Sequence, residues 1–551
     1  MAHLFPALWA IAGIFLAVYR IVKRRRILRL RGPPSPSFVF GNTQEIAAAA
    51  DPAELYDLWA TTYGSVYRAH GPMGSDRLVI CDPKALAHLL ALDTWKYSHP
   101  PLALLQIGML TGPGNLLSTF GESHTKQRKI LNPLFAPVAL KKYASVMYDV
   151  AYKVITAWET QLQTSSADEI IPDVSEWQAF FLLFPSINNL SFDIIGLAAF
   201  STDFRSLDGE QSSVATALTA VGHAKPSPVA AKIFLLSQAF PILFRLPLPR
   251  SKLVENLSQA MDGVVDTLIN AARSGKLAYE QLGSALGVLL STKELSDEQM
   301  RIHVCIFSSM HDDSPSVVQA KSILLSGFAT TASGIKWALV ELATHPHAQN
   351  RLRKELMAFT TTDPSYEDLT SLALPYLDAV VREALRLHPI LSESPRVALE
   401  DDLLPLSAPI RTVAGDRIDM VPVRKGTILT VSLYYTNTAK SIWGDDAAEF
   451  KPERWLDGDR IPDSAKRYPG YHHTMVFLDG PRTCLGKGFA LAEIKACQRL
   501  IVLSLFIRKF VFAPRDGPQT QYERAMFLGP HPKVAGEIGG RLPIRVTRVE
   551  S

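Results

Sequence analysis

The chain has 551 residues, 47% hydrophobic and 20% charged, so it can bury a large core and is not disordered. A formal net charge of +4 gives no argument for nucleic-acid binding. Four cysteines (Cys81, Cys305, Cys484 and Cys497), with no C-x-x-C pair, exclude a disulfide framework and point to free thiols in a reducing compartment.

From the N-terminus, Leu4–Tyr19 is apolar throughout, and Ile21 and Val22 extend it past Arg20. That approaches the roughly 20 residues a helix needs to cross a bilayer, and Arg20 can snorkel to the interface. The basic run Lys23–Arg31 follows, which predicts a lumenal N-terminus and a cytosolic body. A cleaved signal peptide would carry its charge before the apolar run, the reverse of the order here. Gly32–Ser37 (GPPSPS) reads as a stiff hinge. The expected organisation is a transmembrane anchor with its basic flank at residues 1–31, a hinge at 32–37 and one large body at 38–551.

Within the body, the apolar alternation on either side of Pro72–Ser75 predicts a hairpin. Ala230–Pro249 is very apolar but broken by Lys232, Pro241 and Arg245. It reads as a core helix pair or as a surface that dips into the membrane. Ser322–His345, Tyr376–Pro389 and Gly488–Phe510 read as helices, and Arg541–Val549 as a closing strand. The fold class is mainly α with a smaller, segregated β part.

The stretch "FLDGPRTCLG" (Phe477–Gly486) places a cysteine just ahead of a helix. A helix N-terminus favours an anion, and the thiolate is the form that binds metal. Gly480 allows a tight turn, Gly486 lets the backbone approach a flat ligand, and the Arg482 fork suits a carboxylate. Phe477 can pack on the thiolate or the ligand. Together these suggest haem, with cysteine on iron and arginine on a propionate. Zinc is the competing metal; His472 and His473 lie near, but a second cysteine at short spacing is missing.

F-x-x-G-x-R-x-C-x-G is the haem-binding signature of the cytochrome P-450 superfamily, and the chain resembles that superfamily over nearly its whole length. The resemblance implies the cytochrome P-450 fold behind an N-terminal transmembrane helix, with heme b bound through Cys484. It makes Glu383 and Arg386 of "EALR", with Arg454 of "FKPERW", an ion network that locks the cysteine loop. Gly121–Phe135 resembles the family's W-x-x-x-R helix, with His124 in place of tryptophan and Arg128 retained; both would donate to propionates, as would Arg396. The histidine form resembles fungal members. The oxygen site would lie at Ser326–Thr330 (SGFAT), where Gly327 leaves room for dioxygen and Thr330 helps deliver protons. The usual acid is replaced by Ala329, so water or Ser326 must relay the proton.

The implied activity is insertion of one oxygen atom of dioxygen into a hydrophobic small molecule such as a terpenoid, sterol, fatty acid or aromatic. Such a reaction would belong to secondary metabolism or xenobiotic oxidation. No flavin or dinucleotide segment is present, so electrons would come from a separate NADPH–cytochrome P-450 reductase, with cytochrome b5 as a further donor. Lys126 and Lys129 would face the reductase, or are ordinary solvated lysines. Membrane lipid is an expected partner, nucleic acid is not, and the expected location is the endoplasmic reticulum membrane, single-pass. Pocket segments would be Pro100–Leu110, Ser326–Thr330, Ile390–Ser394 and Ala525–Pro530. The alternatives are a haem-thiolate isomerase or dehydratase that does not use dioxygen, which the missing acid keeps open, and a non-enzymatic haem-binding membrane protein.

Overall fold

A 30-residue helix, Pro315–Thr344, is the longest of the described helices. It is apolar enough to cross a bilayer, but 72% of its most apolar window is buried in the protein, so it is a core helix. Around it pack Ile187–Phe200, Pro249–Arg273, Pro375–Leu387 and Lys487–Arg499. The computed structural model describes residues 13, 30–49, 51–175, 186–210, 212–223, 227–246, 249–273, 315–358, 373–499, 503–526, 530–537 and 540–549. The expected anchor therefore lies almost wholly outside the described residues, as do Cys305 and residues 527–529 of the expected pocket segment.

The β part is a separate layer. Its main sheet has five strands in the order Val66–His70, Asp76–Ile80, Ile428–Ser432, Glu393–Ala398 and Tyr97–Ser98. The predicted hairpin is present, with Val66 opposite Ile80 and His70 opposite Asp76. The closing strand, Ile544–Arg548, pairs with Phe510–Pro514 and with Glu169–Ile170. The order of strands, then helices, then strands is incomplete as a prediction. Four strands between Glu393 and Ser432 follow the Pro375–Leu387 helix, and two of them join the N-terminal hairpin in one sheet. Within Gly488–Phe510 the described residues form the helices Lys487–Arg499 and Leu503–Lys509, and Phe510 begins a strand.

Two further expectations change. The Gly32–Ser37 segment is docked on the body. Arg68 N–H donates to Arg31 O at 3.0 Å, Asn42 Nδ2 donates to Pro34 O at 3.0 Å, and Pro33 is buried. A Cβ on Gly32 would lie 1.8 Å from Arg68 O, so only glycine admits that approach. The body already begins at Leu30, fully buried and bridged to Thr412. The core reading of Ala230–Pro249 also fails. The segment is a helix, Pro228–Ser237, and a short 3-10 turn, Pro241–Arg245, with Ser237 the only buried residue in the two. Val229 and Ile242 are each 64% exposed.

The cysteine stretch sits where the cores meet. Met475 and Leu478 pack in the core around the sheet, and Leu485 and Phe489 in the helical core. Phe477 joins Val381, Leu385 and Ile494 in a third, small cluster. What fixes this junction is the Pro375–Leu387 helix. Glu383 and Arg386, three apart on one face, form a bidentate pair at 2.8 and 2.9 Å, and both side chains are fully buried. Glu383 also accepts from Trp455 Nε1 at 2.8 Å and Lys451 N at 3.1 Å, and the Arg454 Nε lies 3.5 Å away. Arg386 Nη1 donates to Asn437 O and Ala447 O. Asn437 in turn accepts Met475 N–H on its side-chain oxygen at 2.9 Å, which ties the network to the cysteine loop through one residue.

Removing the carboxylate leaves two guanidiniums, an indole N–H and a peptide N–H without their acceptor. Glu383→Ala is expected to cost about 3–5 kcal/mol in urea denaturation. A midpoint unchanged from the parent would show that the network does not carry the fold.

Candidate functional site

The Phe477–Gly486 loop is held by its own backbone. Cys484 N–H donates to Phe477 O at 2.8 Å, Asp479 caps Gly480 N at 2.9 Å, and Gly480–Arg482 forms a 3-10 turn. Gly480 has φ +68, and a Cβ there would meet Leu90 O at 2.1 Å. Glycine thus lets the loop press against the Pro83–Ala91 helix. A Cβ on Gly486 would approach no protein atom nearer than Phe135 Cε1 at 3.9 Å, so the surrounding protein does not itself demand glycine there. The Phe477 ring is buried edge-on against Tyr471, 5.5 Å between centroids.

Cys484 is solvent-accessible, yet protein surrounds it closely enough that burial pushes its thiol pKa up. The Gly486 backbone N–H, Arg128 and Lys487 act in the other direction and favour the thiolate. By contrast Cys81 is buried, with its thiol pKa pushed far up by desolvation, and is a core residue.

Cationic side chains gather beside this loop. Arg482 Nη2 donates to Thr119 O at 2.6 Å, and its Nε lies 3.3 Å from Asp93 Oδ1. Arg396, inward-facing on the strand Glu393–Ala398, donates from Nε to the other Asp93 oxygen at 2.7 Å. Asp93 bridges the two. Arg396 Nη2 is buried and has no hydrogen-bond partner. On the helix Gly121–Leu131, His124 and Arg128 share a face, as the spacing predicts. Burial, and then Arg482 and Arg128, lower the His124 pKa to about 4. His99 is likewise held neutral, by burial and then by Arg396 and Arg482. Gln319 on the central helix donates to Gln127 Oε1 at 2.6 Å and fixes the Gly121–Leu131 helix against it.

Arg396 and Arg482 thus share one carboxylate, Asp93, with Arg128 and two neutral imidazoles beside them. The arrangement suits a ligand that carries carboxylates next to a thiolate-binding centre, and the orphaned Arg396 Nη2 marks one place such a group is needed. The residues present fit haem. Asp93 and His99 were not singled out from the sequence; neither stands in a recognisable motif, and Asp93 lies some 300 residues from Arg396.

On the central helix, Ser326 is exposed and Thr330, half-buried one turn on, donates to Ser326 O at 2.7 Å. At Gly327 a Cβ would meet Ile195 Cδ1 at 2.6 Å, so the neighbouring helix Ile187–Phe200 also packs closely there. Phe328 is buried edge-on against Phe192, and Ala329 packs on the helical core.

Behind this turn lies an acid the sequence reading missed. Glu493, fully buried on Lys487–Arg499, has Oε1 2.7 Å from Ser191 Oγ, which is also 3.1 Å from Phe328 O. One serine proton cannot satisfy both acceptors; a proton on Glu493 lets Ser191 accept from the acid and donate to Phe328. Burial raises the Glu493 pKa to about 8, against smaller opposing effects of Ser191 and Thr331.

The family model described as cytochrome P-450 matches residues 31–535. The cytochrome P-450 monooxygenase claP of Ampulloclitocybe clavipes is 40% identical over 547 residues, covering 98% of this chain and 97% of the relative. The monooxygenase eriI of Hericium erinaceus is 32% identical over 559 residues, covering 98% and 97%. Cytochrome P-450 monooxygenase 205 of Postia placenta is 30% identical over 531 residues, covering 94% and 92%.

Glu493 carries a pH signature. Its folded pKa of about 8 stands above the ordinary 4.5, so its stabilising contribution is complete below pH 4.5 and is lost as pH rises through 8. The slope reaches about 1.4 kcal/mol per pH unit. Glu493→Gln is expected to remove this part of the pH dependence, so the variant gains on the parent between pH 5 and 8 in urea midpoints. Parallel profiles for the two proteins would show that Glu493 is ionised in the fold.

Proposed function

This chain belongs to the cytochrome P-450 family, and from that premise we propose that it oxidises a hydrophobic small molecule in fungal secondary metabolism or xenobiotic oxidation. In class it is a haem monooxygenase, an oxidoreductase that binds haem b through a cysteine thiolate. Such enzymes take electrons from a separate redox partner. When bound, the haem supplies dioxygen activation and transfer of one oxygen atom.

The residue roles follow from the geometry above. Cys484 would hold the haem iron through its sulfur, its accessible thiol being favoured as thiolate by the Gly486 N–H, Arg128 and Lys487. Arg482, Arg396, Arg128 and His124 would hold the propionates, and Asp93 keeps Arg482 and Arg396 aimed. The neutral His124 donates one hydrogen bond without adding to the charge. Phe477 and Gly480 set the loop, and Gly486 leaves the ligand face clear. Glu383, Arg386 and Arg454 hold the loop from behind.

Ser326 and Thr330 stand one turn apart with accessible hydroxyls. With Ala329 in the place of the usual acid, their hydroxyls are the groups that move a proton at this turn. Gly327 also admits the close packing of Ile195.

The observation that carries the reading is the accessible Cys484 thiol beside a cluster of cations that lacks its anion. A hydrophobic substrate is supported by the helix Pro101–Thr111, which leaves most of its apolar side chains only half-buried, and by Leu391, which is exposed. Electron delivery is assigned to an NADPH–cytochrome P-450 reductase, with cytochrome b5 as a second donor. The exposed Lys126 and Lys129 offer it a basic surface. The apolar Leu4–Val22 stretch with its basic flank supports a single-pass anchor in the endoplasmic reticulum membrane and a cytosolic body. Exposed Phe234, Ile242 and Leu246 support a second membrane contact.

Two measurements test these roles. Cys484→Ser is expected to abolish the thiolate-type Soret band of the reduced carbon-monoxide complex together with all turnover; retention of that band would assign the iron to another cysteine. Thr330→Ala is expected to keep NADPH consumption while product falls by roughly tenfold or more, the loss of a positioned proton carrier being worth about 10²–10⁴ at most. Unchanged coupling would remove Thr330 from proton delivery.

A further inference from the structure

Away from the haem site, at the edge of the β layer where the chain leaves the expected anchor, a pocket of about 420 Å³ is lined by Arg31, Gly32, Tyr63, Arg68, Arg411 and Val413, among others. Two features build it. Leu30 bridges Thr412 and Arg68 N–H donates to Arg31 O, so the entering strand is stitched between the first strand of the main sheet and the hairpin Asp402–Arg411 with Arg417–Val423. Gly32 makes that stitch possible.

The charges there do not balance. Arg411 lies directly opposite Arg417 in the hairpin register, a like-charge pair that costs stability unless an anion sits nearby. Arg68 reaches Asp76 only at 4.0 Å, and its Nε is buried with no hydrogen-bond partner. The Asp76 carboxylate is already taken by His70 at 2.9 Å. Asp416, the other acid at the hairpin end, accepts from Thr412 at 3.4 Å. Among the described residues, three arginines that line the pocket, with Arg417 opposite one of them, have two acids nearby, each already hydrogen-bonded elsewhere.

We infer that this pocket binds the phosphate of an anionic phospholipid headgroup. The shared chemistry is a phosphate oxyanion held by arginine forks; position selects the lipid as its source. Seven residues, Lys23–Arg29, separate Val22 from Leu30 in the pocket wall, and a fully extended chain of that length spans at most about 25 Å. Five further basic residues precede Arg31 in that run. On the same hairpin, Val413 and Met420 are exposed apolar side chains of the kind that settle at a bilayer surface. The inference rests on the membrane-anchor reading of residues 1–31.

The test uses the full chain, haem-loaded, in detergent micelles. It is titrated with short-chain phosphatidylserine, with short-chain phosphatidylcholine and with inorganic phosphate, and amide hydrogen exchange is read at 30–32, 66–70 and 411–415. Phosphatidylserine is expected to slow exchange there. Arg68→Gln with Arg411→Gln is expected to weaken its apparent affinity about 25-fold, from about fivefold per arginine. Arg411→Gln alone, at an exposed side chain, should give the fivefold part; an unaltered Soret band in each variant shows intact folding. Equal protection by phosphatidylcholine, equal protection by inorganic phosphate alone, or no protection by any probe would each overturn the assignment. Alkaline carbonate extraction of membranes that contain the parent chain reads the anchor separately. Release into the supernatant would remove the anchor reading, and with it the positional argument, whatever the titrations show.

Discussion

One carboxylate, that of Glu383, holds together parts of the chain that have no other reason to meet. It is closed off from water and accepts from a guanidinium, an indole and a backbone amide, with a second guanidinium at 3.5 Å. A buried charge is tolerable only when it is satisfied in this way. Its position on the Pro375–Leu387 helix thereby sets the turn at Pro452–Trp455, and through Arg386 and Asn437 the entry to the cysteine loop. The thiol at Cys484 is placed by an ion pair about a hundred residues earlier in the chain.

The loop is gripped from its other side by a different logic. Gly480 presses on Leu90 O, and three residues after that carbonyl Asp93 meets Arg482 from the same loop and Arg396 from the sheet. The helical core, the sheet core and the small Phe477 cluster all end within a dozen residues of sequence. Packing fixes where the loop lies; the two polar clusters fix how it is turned. On that frame stand the groups the proposed chemistry would use: a thiol, a set of cations and, on the central helix, two hydroxyls.

How much of this was readable without coordinates follows from locality. The cysteine loop, the Glu383–Arg386 pair and the His124–Arg128 face are short-range patterns, and each is brought together as its spacing implies. Arg454 was reached through its motif, not its spacing. Asp93, His99 and Glu493 are single residues whose partners lie far along the chain, so nothing local distinguished them from ordinary polar residues. The Glu393–Ser432 strands escaped for a similar reason, since proline-interrupted segments such as Asp402–Arg411 give a poor alternating signal. At Gly327 the motif speaks only of a ligand, while the structure adds that the missing Cβ also makes room for Ile195.

The gathering of Arg396 and Arg482 on Asp93, with Arg128 beside the same cysteine, has a consequence for the life of the chain in the cell. Only the folded protein brings these guanidiniums together, so their mutual repulsion is a cost of folding that the cofactor's carboxylates offset. Folding and cofactor capture are then one equilibrium, and each tenfold rise in free haem above its dissociation constant adds about 1.4 kcal/mol to the loaded fold. An unloaded chain spends more time open to chaperones and proteases. The supply of haem thus governs how many molecules persist as well as how many are active.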